Sequence, residues 1–184
     1  MACRRIARDS LGAASYSGNA AGLAVDKDSD RLETNVDGNR RRIDARRLIA
    51  GGSTTTLTAK DSGATVQLDT ATGTTVTLPA SSGSGVRYRF VITTVPTSNN
   101  HIVKVANASD TFTGFALIAQ DAADTVVMFT AGGTDDTITL NRTTTGGTAK
   151  GEWIEVEDVA TNQWHIMAYL QGTGTEATPF SATV

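Results

Sequence analysis

The chain has 184 residues, 39% hydrophobic but only 5% aromatic, and a formal net charge of −3. That length fits one domain with an appendage, its core built from Val, Ile, Leu and Ala with few rings. The single cysteine, Cys3, excludes an internal disulfide framework. No apolar run reaches the length of a membrane span, and none follows Arg4 and Arg5 as a secretory signal requires. The expectation is a protein made and folded in a cytoplasm, with no membrane partner.

Residues 1–50 hold ten basic and seven acidic side chains, and the remainder holds six and twelve. The first segment reads as an N-terminal arm, residues 1–52, mostly irregular and extended. Its basic groups are broken up by Asp9, Asp26, Asp28, Asp30, Glu33, Asp37 and Asp44. Nucleic-acid-binding arms run basic without such breaks, so no nucleic-acid partner is expected. Arg4-Arg5-Ile6-Ala7-Arg8 suits one helical turn, but Gly12 and Gly18 make a long helix costly. Leu32 to Asn39 reads as a short strand ending in an Asp37-Gly38 turn. Arg40-Arg41-Arg42 and Arg46-Arg47 then precede Gly51-Gly52-Ser53, which reads as a flexible joint and the domain boundary.

The body, residues 53–184, carries 29 of the 30 threonines. Thr56 to Thr58 opens a series of short strands. Thr65 to Leu68 and Thr74 to Leu78 flank Ala71-Thr72-Gly73, a link of hairpin length. Pro79 stops the second of them, because proline has no N–H for a ladder. Val86 to Val95 alternates Val86, Tyr88, Phe90 and Ile92 on one face with Arg87, Arg89 and Thr93 on the other. His101 to Ala106 reads as its hairpin partner. Phe115 to Ala119, Thr125 to Thr130 and Thr137 to Leu140 follow. Trp153 to Glu157 and Trp164 to Leu170 form a last pair across Asp158 to Asn162. About nine or ten short strands predict an all-β fold, an antiparallel β-sandwich or barrel of jelly-roll-like kind. No helical periodicity links the strands, which argues against an α/β fold. Threonine suits such strands, its branched Cβ favouring the extended backbone and its hydroxyl a wet outer face.

Little in the chain carries chemistry. Asp26, Asp28 and Asp30 start like a calcium loop, but Arg31 and Asp37 stand where that loop needs glycine and a bidentate glutamate. His101 and His165 have no ligand set around them, so no metal or cofactor is expected. Ser81-Ser82-Gly83-Ser84-Gly85 lacks the Gly-x-Ser-x-Gly order of a nucleophile elbow. Glu152, Glu155, Glu157 and Asp158 invite comparison with a paired-carboxylate site. Alternation gives the plainer account: Glu155 and Glu157 face solvent beside Trp153 while Ile154 and Val156 enter the core, leaving Trp153 and Glu155 as a possible ligand face. Trp164 is expected in the core with Ile166, Ala168 and Leu170. No enzyme is expected. Arg4, Arg5, Arg8, Arg40, Arg41, Arg42, Arg46 and Arg47 read as candidate anchors for an acidic partner surface, through Arg–carboxylate pairs.

Several stretches resemble a group of small tailed-phage virion proteins of the capsid decoration, or cement, type. They include Asp61-Ser62-Gly63, Val76-Thr77-Leu78-Pro79-Ala80, Tyr88-Arg89-Phe90-Val91 and Thr97 to Asn107. Asp135 to Asn141, Thr144-Thr145-Gly146-Gly147, Gly151 to Asp158 and Gly172 to Ser181 continue the likeness, which covers nearly all of residues 55–184. The resemblance implies a non-enzymatic protein of the capsid exterior, made in the host bacterial cytoplasm. It further implies a homotrimer that binds the major capsid protein and bridges its subunits. A tail or fibre component that binds host-surface glycans is the alternative, and a polysaccharide hydrolase using the acidic cluster ranks third.

Overall fold

The computed structural model describes residues 23–26, 31–36, 39–42, 47–122 and 124–184. The chain divides into two units, Met1–Ala45 and Arg46–Val184. In the first, β1 (Leu23–Asp26), β2 (Arg31–Val36) and β3 (Asn39–Arg42) form an antiparallel three-stranded sheet. The strand expected from Leu32 is found as β2, while β1 and β3 beside it are paired strand where the arm is otherwise expected to be irregular. Val36 and Asn39 are partners, so β2 ends where the Asp37-Gly38 signal placed its end.

The second unit begins with β4 (Leu48–Ala50), β5 (Thr54–Thr56), β6 (Thr65–Leu68), β7 (Thr75–Thr77), β8 (Arg87–Ile92) and β9 (His101–Lys104). It continues with β10 (Thr111–Ala119), β11 (Val126–Thr130), β12 (Thr137–Leu140), β13 (Trp153–Ala160), β14 (Gln163–Gln171) and β15 (Phe180–Ser181). These twelve strands make two sheets, ordered β11-β10-β14-β13-β8-β6-β4 and β15-β12-β9-β7-β5. The class is all-β and sandwich-like, as expected.

The winding is not the expected one. From β4 to β9 the strands alternate between the two sheets, so the chain advances as a flattened coil. Same-sheet neighbours therefore run parallel: β4 with β6, β6 with β8, β5 with β7, and β7 with β9. A parallel pair needs a crossover of about a dozen residues or more, usually a helix. Here the strand of the opposite sheet fills that crossover. The purely antiparallel expectation is corrected to mixed sheets, with β10 and β14 a fifth parallel pair. Two expected hairpins are corrected for the same reason. Ala71-Thr72-Gly73 turns a corner between sheets, and β9 lies in the sheet opposite β8. After the coil, β13 and β14 form the expected antiparallel hairpin, and β13 pairs antiparallel with β8.

The expected boundary at residues 52 and 53 also moves. β4 pairs with β6, and the Gly51 N–H donates to the Gln67 carbonyl at 3.0 Å. A Cβ on Gly51 would stand 2.4 Å from that same oxygen, so the glycine permits close packing and is no flexible joint.

Between the sheets lies one core, including Leu68, Leu78, Tyr88, Phe90, Phe112, Ile118, Ile138, Ile154 and Trp164. Period-two alternation fills it: Tyr88, Phe90 and Ile92 are buried on β8, and Trp164, Ile166, Ala168 and Leu170 on β14. Tyr88 and Trp164 meet at 6.0 Å between ring centroids. The Tyr88 hydroxyl donates to the Thr58 carbonyl at 2.8 Å, so the ring buries without stranding its polar end.

Candidate functional site

The two outer faces of the sandwich differ in chemistry. On the five-stranded sheet the register aligns Thr56, Thr77, Lys104, Thr137 and Ser181 in one row across all five strands. Thr54, Thr75, Ile102 and Thr139 form the row beside it. This is the hydroxyl-bearing face that the threonine content predicts. Next to it, Ser53, Thr72, Thr75, Ser98, Asn99, Asn100 and Ile102 line a polar groove of about 610 Å³ together with Gly73.

The seven-stranded sheet breaks the usual pattern of apolar inside and polar outside. Its outward row runs Met128, Leu117, Tyr169, Trp153, Val91 across β11, β10, β14, β13 and β8. The adjacent row runs Phe115, Met167, Glu155, Arg89. Met128 is 60% exposed and Tyr169 44%. The alternation that sends Ile154 and Val156 inward sends Trp153, Glu155 and Glu157 outward, as expected.

Trp153 is held by its own neighbours. Tyr169, from the strand on one side, stacks with the indole at 4.7 Å between centroids and 30° between planes. Arg89, from the strand on the other side, places its guanidinium 4.6 Å from the ring centroid. Arg89 and Tyr169 thus fix the half-buried indole in place on the outer face. Glu155 is exposed beside Arg89, while Glu157 accepts from Arg87 at 2.8 Å. Composition could not reveal this triad, but strand parity could: Arg89 and Tyr169 share the outward phase of their strands.

The remaining acidic groups of that segment are clamps. Asp158 is buried, and its carboxylate accepts from the backbone N–H groups of Ser82, Gly83 and Ser84 at 2.8–3.0 Å and from the Ser84 hydroxyl at 2.6 Å. Burial alone would raise its pKa; the hydrogen bonds from Ser84, Gly83 and Ser82 outweigh burial, and the net shift is downward. Glu152 likewise accepts from the Gly147 and Ala149 N–H groups at 2.8 and 2.6 Å. Asp110 takes the Ser81 N–H and hydroxyl, both at 2.9 Å, and Asp136 takes the Thr183 N–H at 2.8 Å. Each buried carboxylate thus pins one loop or the chain end. Ser82-Gly83-Ser84, which lacks the order of a nucleophile elbow, is a nest of donors built around Asp158.

His101 is fully buried and serves the same purpose. Its Nδ1 accepts from the Thr74 N–H at 3.0 Å, so the ring proton sits on Nε2, 2.9 Å from the Thr94 carbonyl to which it donates. Burial pushes its pKa down, against weaker upward pulls from the Thr94 carbonyl and Asp69. A protonated ring would set a second N–H against that of Thr74. The unfolded ring takes up a proton below about 6.5, whereas the folded one stays neutral to lower pH. Stability from this site is therefore complete above about pH 6.5 and declines as pH falls towards the folded pKa, by at most about 1.4 kcal/mol per pH unit. Asp158, with its depressed pKa, adds a loss at lower pH, as acid protonates it below the ordinary 3.8. Thermal unfolding followed between pH 7 and pH 5 should show a falling midpoint, and the slope should flatten in His101→Gln. An unchanged slope in that variant would assign the titration elsewhere.

Of the candidate anchors, Arg40, Arg41 and Arg42 lie on β3. Arg4, Arg5, Arg8 and Arg46 lie outside the described residues, as do Asp28 and Asp30 of the calcium-like run. Arg47 belongs to the body. Its exposed guanidinium pairs with Asp61 in the 3-10 turn Ala59–Asp61, and its carbonyl accepts from the Thr65 N–H at 2.8 Å. Among the described residues no group of three or more His, Cys, Asp or Glu is placed to hold a metal ion. No helix among them is long and apolar enough to cross a membrane. Comparison with known proteins finds no matching family model and no matching curated protein.

Proposed function

We propose that the chain is a structural protein of a tailed-phage virion, of the decoration type, which binds the outer capsid surface and bridges major capsid subunits. One observation supports a holding role above the others. Asp110, Asp136, Glu152 and Asp158, all buried, are spent on fixing the body's own backbone. Groups that do acid–base work need a reacting atom within reach; these have a loop amide there instead. The body is a frame that offers two unlike outer faces to others, and the first unit adds the arginines of β3.

A protein that touches two shell subunits at once adds its own contacts to those that must break when they part. Several copies joined together act at high effective concentration, so modest single contacts suffice. The arginines at 40–42 suit an acidic shell surface, since guanidinium groups pair with carboxylates through two parallel hydrogen bonds. Purified full-length protein added to undecorated shells should bind in symmetric positions on the exterior, visible in a symmetry-averaged map. Reversing charge at Arg40, Arg41 and Arg42 to Glu should lower occupancy about tenfold or more, with the unfolding midpoint of the body unchanged. Full occupancy in that triple variant removes the anchoring role of these residues. Absence of the protein from shells and its presence at the tail would overturn the assignment as a whole.

A further inference from the structure

We propose that the outer face of the seven-stranded sheet joins copies of this chain to one another. An outward row of apolar side chains crosses five adjacent strands, from Val91 through Trp153, Tyr169 and Leu117 to Met128. Met128 and Tyr169 are exposed and Val91, Trp153 and Leu117 half-buried, and an apolar row on a face that alternation should make polar is characteristic of an interaction surface. The row runs out to β11, which among the described residues has β10 as its only neighbour. β11 reads Val-Val-Met-Phe-Thr, with no charge and no proline to keep another chain away.

Charge selects the occupant. Residues 51–184 hold six basic and twelve acidic side chains, so two bodies repel over most of their surface. On this face the charges balance: Arg87 and Arg89 stand with Glu155 and Glu157, and Arg87 is already paired with Glu157. A second copy therefore meets a face of no net charge here, with as many glutamates as arginines to pair. The stacked Arg89, Trp153 and Tyr169 are held before contact, which lowers the entropy lost when copies join. Tyr, Trp, Met and Arg are also the residues that dominate the cores of such interfaces. This inference is independent of the virion assignment.

The test is the mass of the purified full-length protein in solution, by light scattering over a dilution series. The expected result is a defined multiple of 19.2 kDa. Met128→Glu and Tyr169→Glu should each raise the dissociation constant about a hundredfold or more, because each buries a charge against its own copy. Thr56→Glu, on the opposite outer face, should leave it unchanged. Met128 oxidation in the unmodified protein gives a second readout that needs no variant: its rate should fall as concentration rises. A monomer at all concentrations would overturn the proposal. So would an oligomer insensitive to both substitutions on this face, Met128 oxidation independent of concentration, or a monomer that meets shells through this face. No shell is present in these measurements, so a negative result leaves the decoration reading standing, and failure to bind shells leaves this one standing.

Discussion

Asp158→Ala should lower the unfolding midpoint of the body by about 10 °C or more, at a cost of roughly 3–5 kcal/mol. The carboxylate accepts from three successive backbone N–H groups, those of Ser82, Gly83 and Ser84, at 2.8–3.0 Å. Alanine leaves those donors without partners in the volume the carboxylate filled. An unsatisfied buried donor costs about 1–3 kcal/mol, whereas a made hydrogen bond adds about 1 kcal/mol net, so the loss is dominated by what is stranded. The native state as a whole is stable by only about 5–15 kcal/mol. Asp158→Asn should fall between, because one amide oxygen still accepts while the NH2 faces the Ser84 donor. Glu157→Gln, one residue away on the exposed side, should barely move the midpoint, since its partner Arg87 lies in solvent. Chemical and thermal denaturation of the three variants checks the order. Equal midpoints for Asp158→Ala and Glu157→Gln would show that the loop holds without its clamp.

Gly114→Ala should be worse still, failing to give folded protein or losing most of its stability. Gly114 lies inside β10, opposite Ile166 of β14, at a φ of +139° that side chains rarely adopt. A Cβ there would stand 1.9 Å from the Ile166 carbonyl oxygen and 2.9 Å from its carbon. Neither atom can move without breaking the nine-residue pairing of β10 with β14, the longest in the seven-stranded sheet. Backbone strain of about 1–3 kcal/mol adds to that clash. Gly133→Ala is the control, since its added methyl group would meet nothing within 4 Å. Soluble yield and the unfolding midpoint of the pair decide the matter; a Gly114→Ala protein as stable as Gly133→Ala would mean that β10 can slide off β14 at no cost.

Strand positions and facing were legible in the sequence wherever alternation was long. Tyr88, Phe90 and Ile92 enter the core and Arg87 and Arg89 leave it because period two admits one assignment over six residues. The last hairpin was legible for the same reason, with Trp164 buried and Glu155 exposed. Pairing was not. Thr65–Leu68 and Thr75–Thr77 are separated by a few turn residues, and such a link serves a hairpin or a corner between sheets equally well. Only the later strands that lie beside each of them decide which. The absence of helical periodicity argued against parallel neighbours, yet it excludes only crossovers made by helices. The clamps were hidden too: Ser82 and Asp158 are brought together by the fold, and nothing local marks an aspartate whose partners lie so far along the chain. Outward phase at Leu117, Met128, Tyr169 and Trp153 was readable strand by strand, but their alignment into one row needs the register of three pairings.

The coil from β4 to β9 has a consequence for the order in which the chain comes off the ribosome. From β6 on, each of its strands lies beside one already made, so every turn can settle on the previous one during synthesis, N-terminal part first. β10 is the exception: its pairing with β14 waits until β12, β13 and their loops have been translated. Contacts of that separation form slowly, because the loop must close before they stabilise anything. Until then β10 and the apolar β11 hang on a half-built sheet, and that interval is when a nascent chain is most exposed to sticking to its neighbours on the same message.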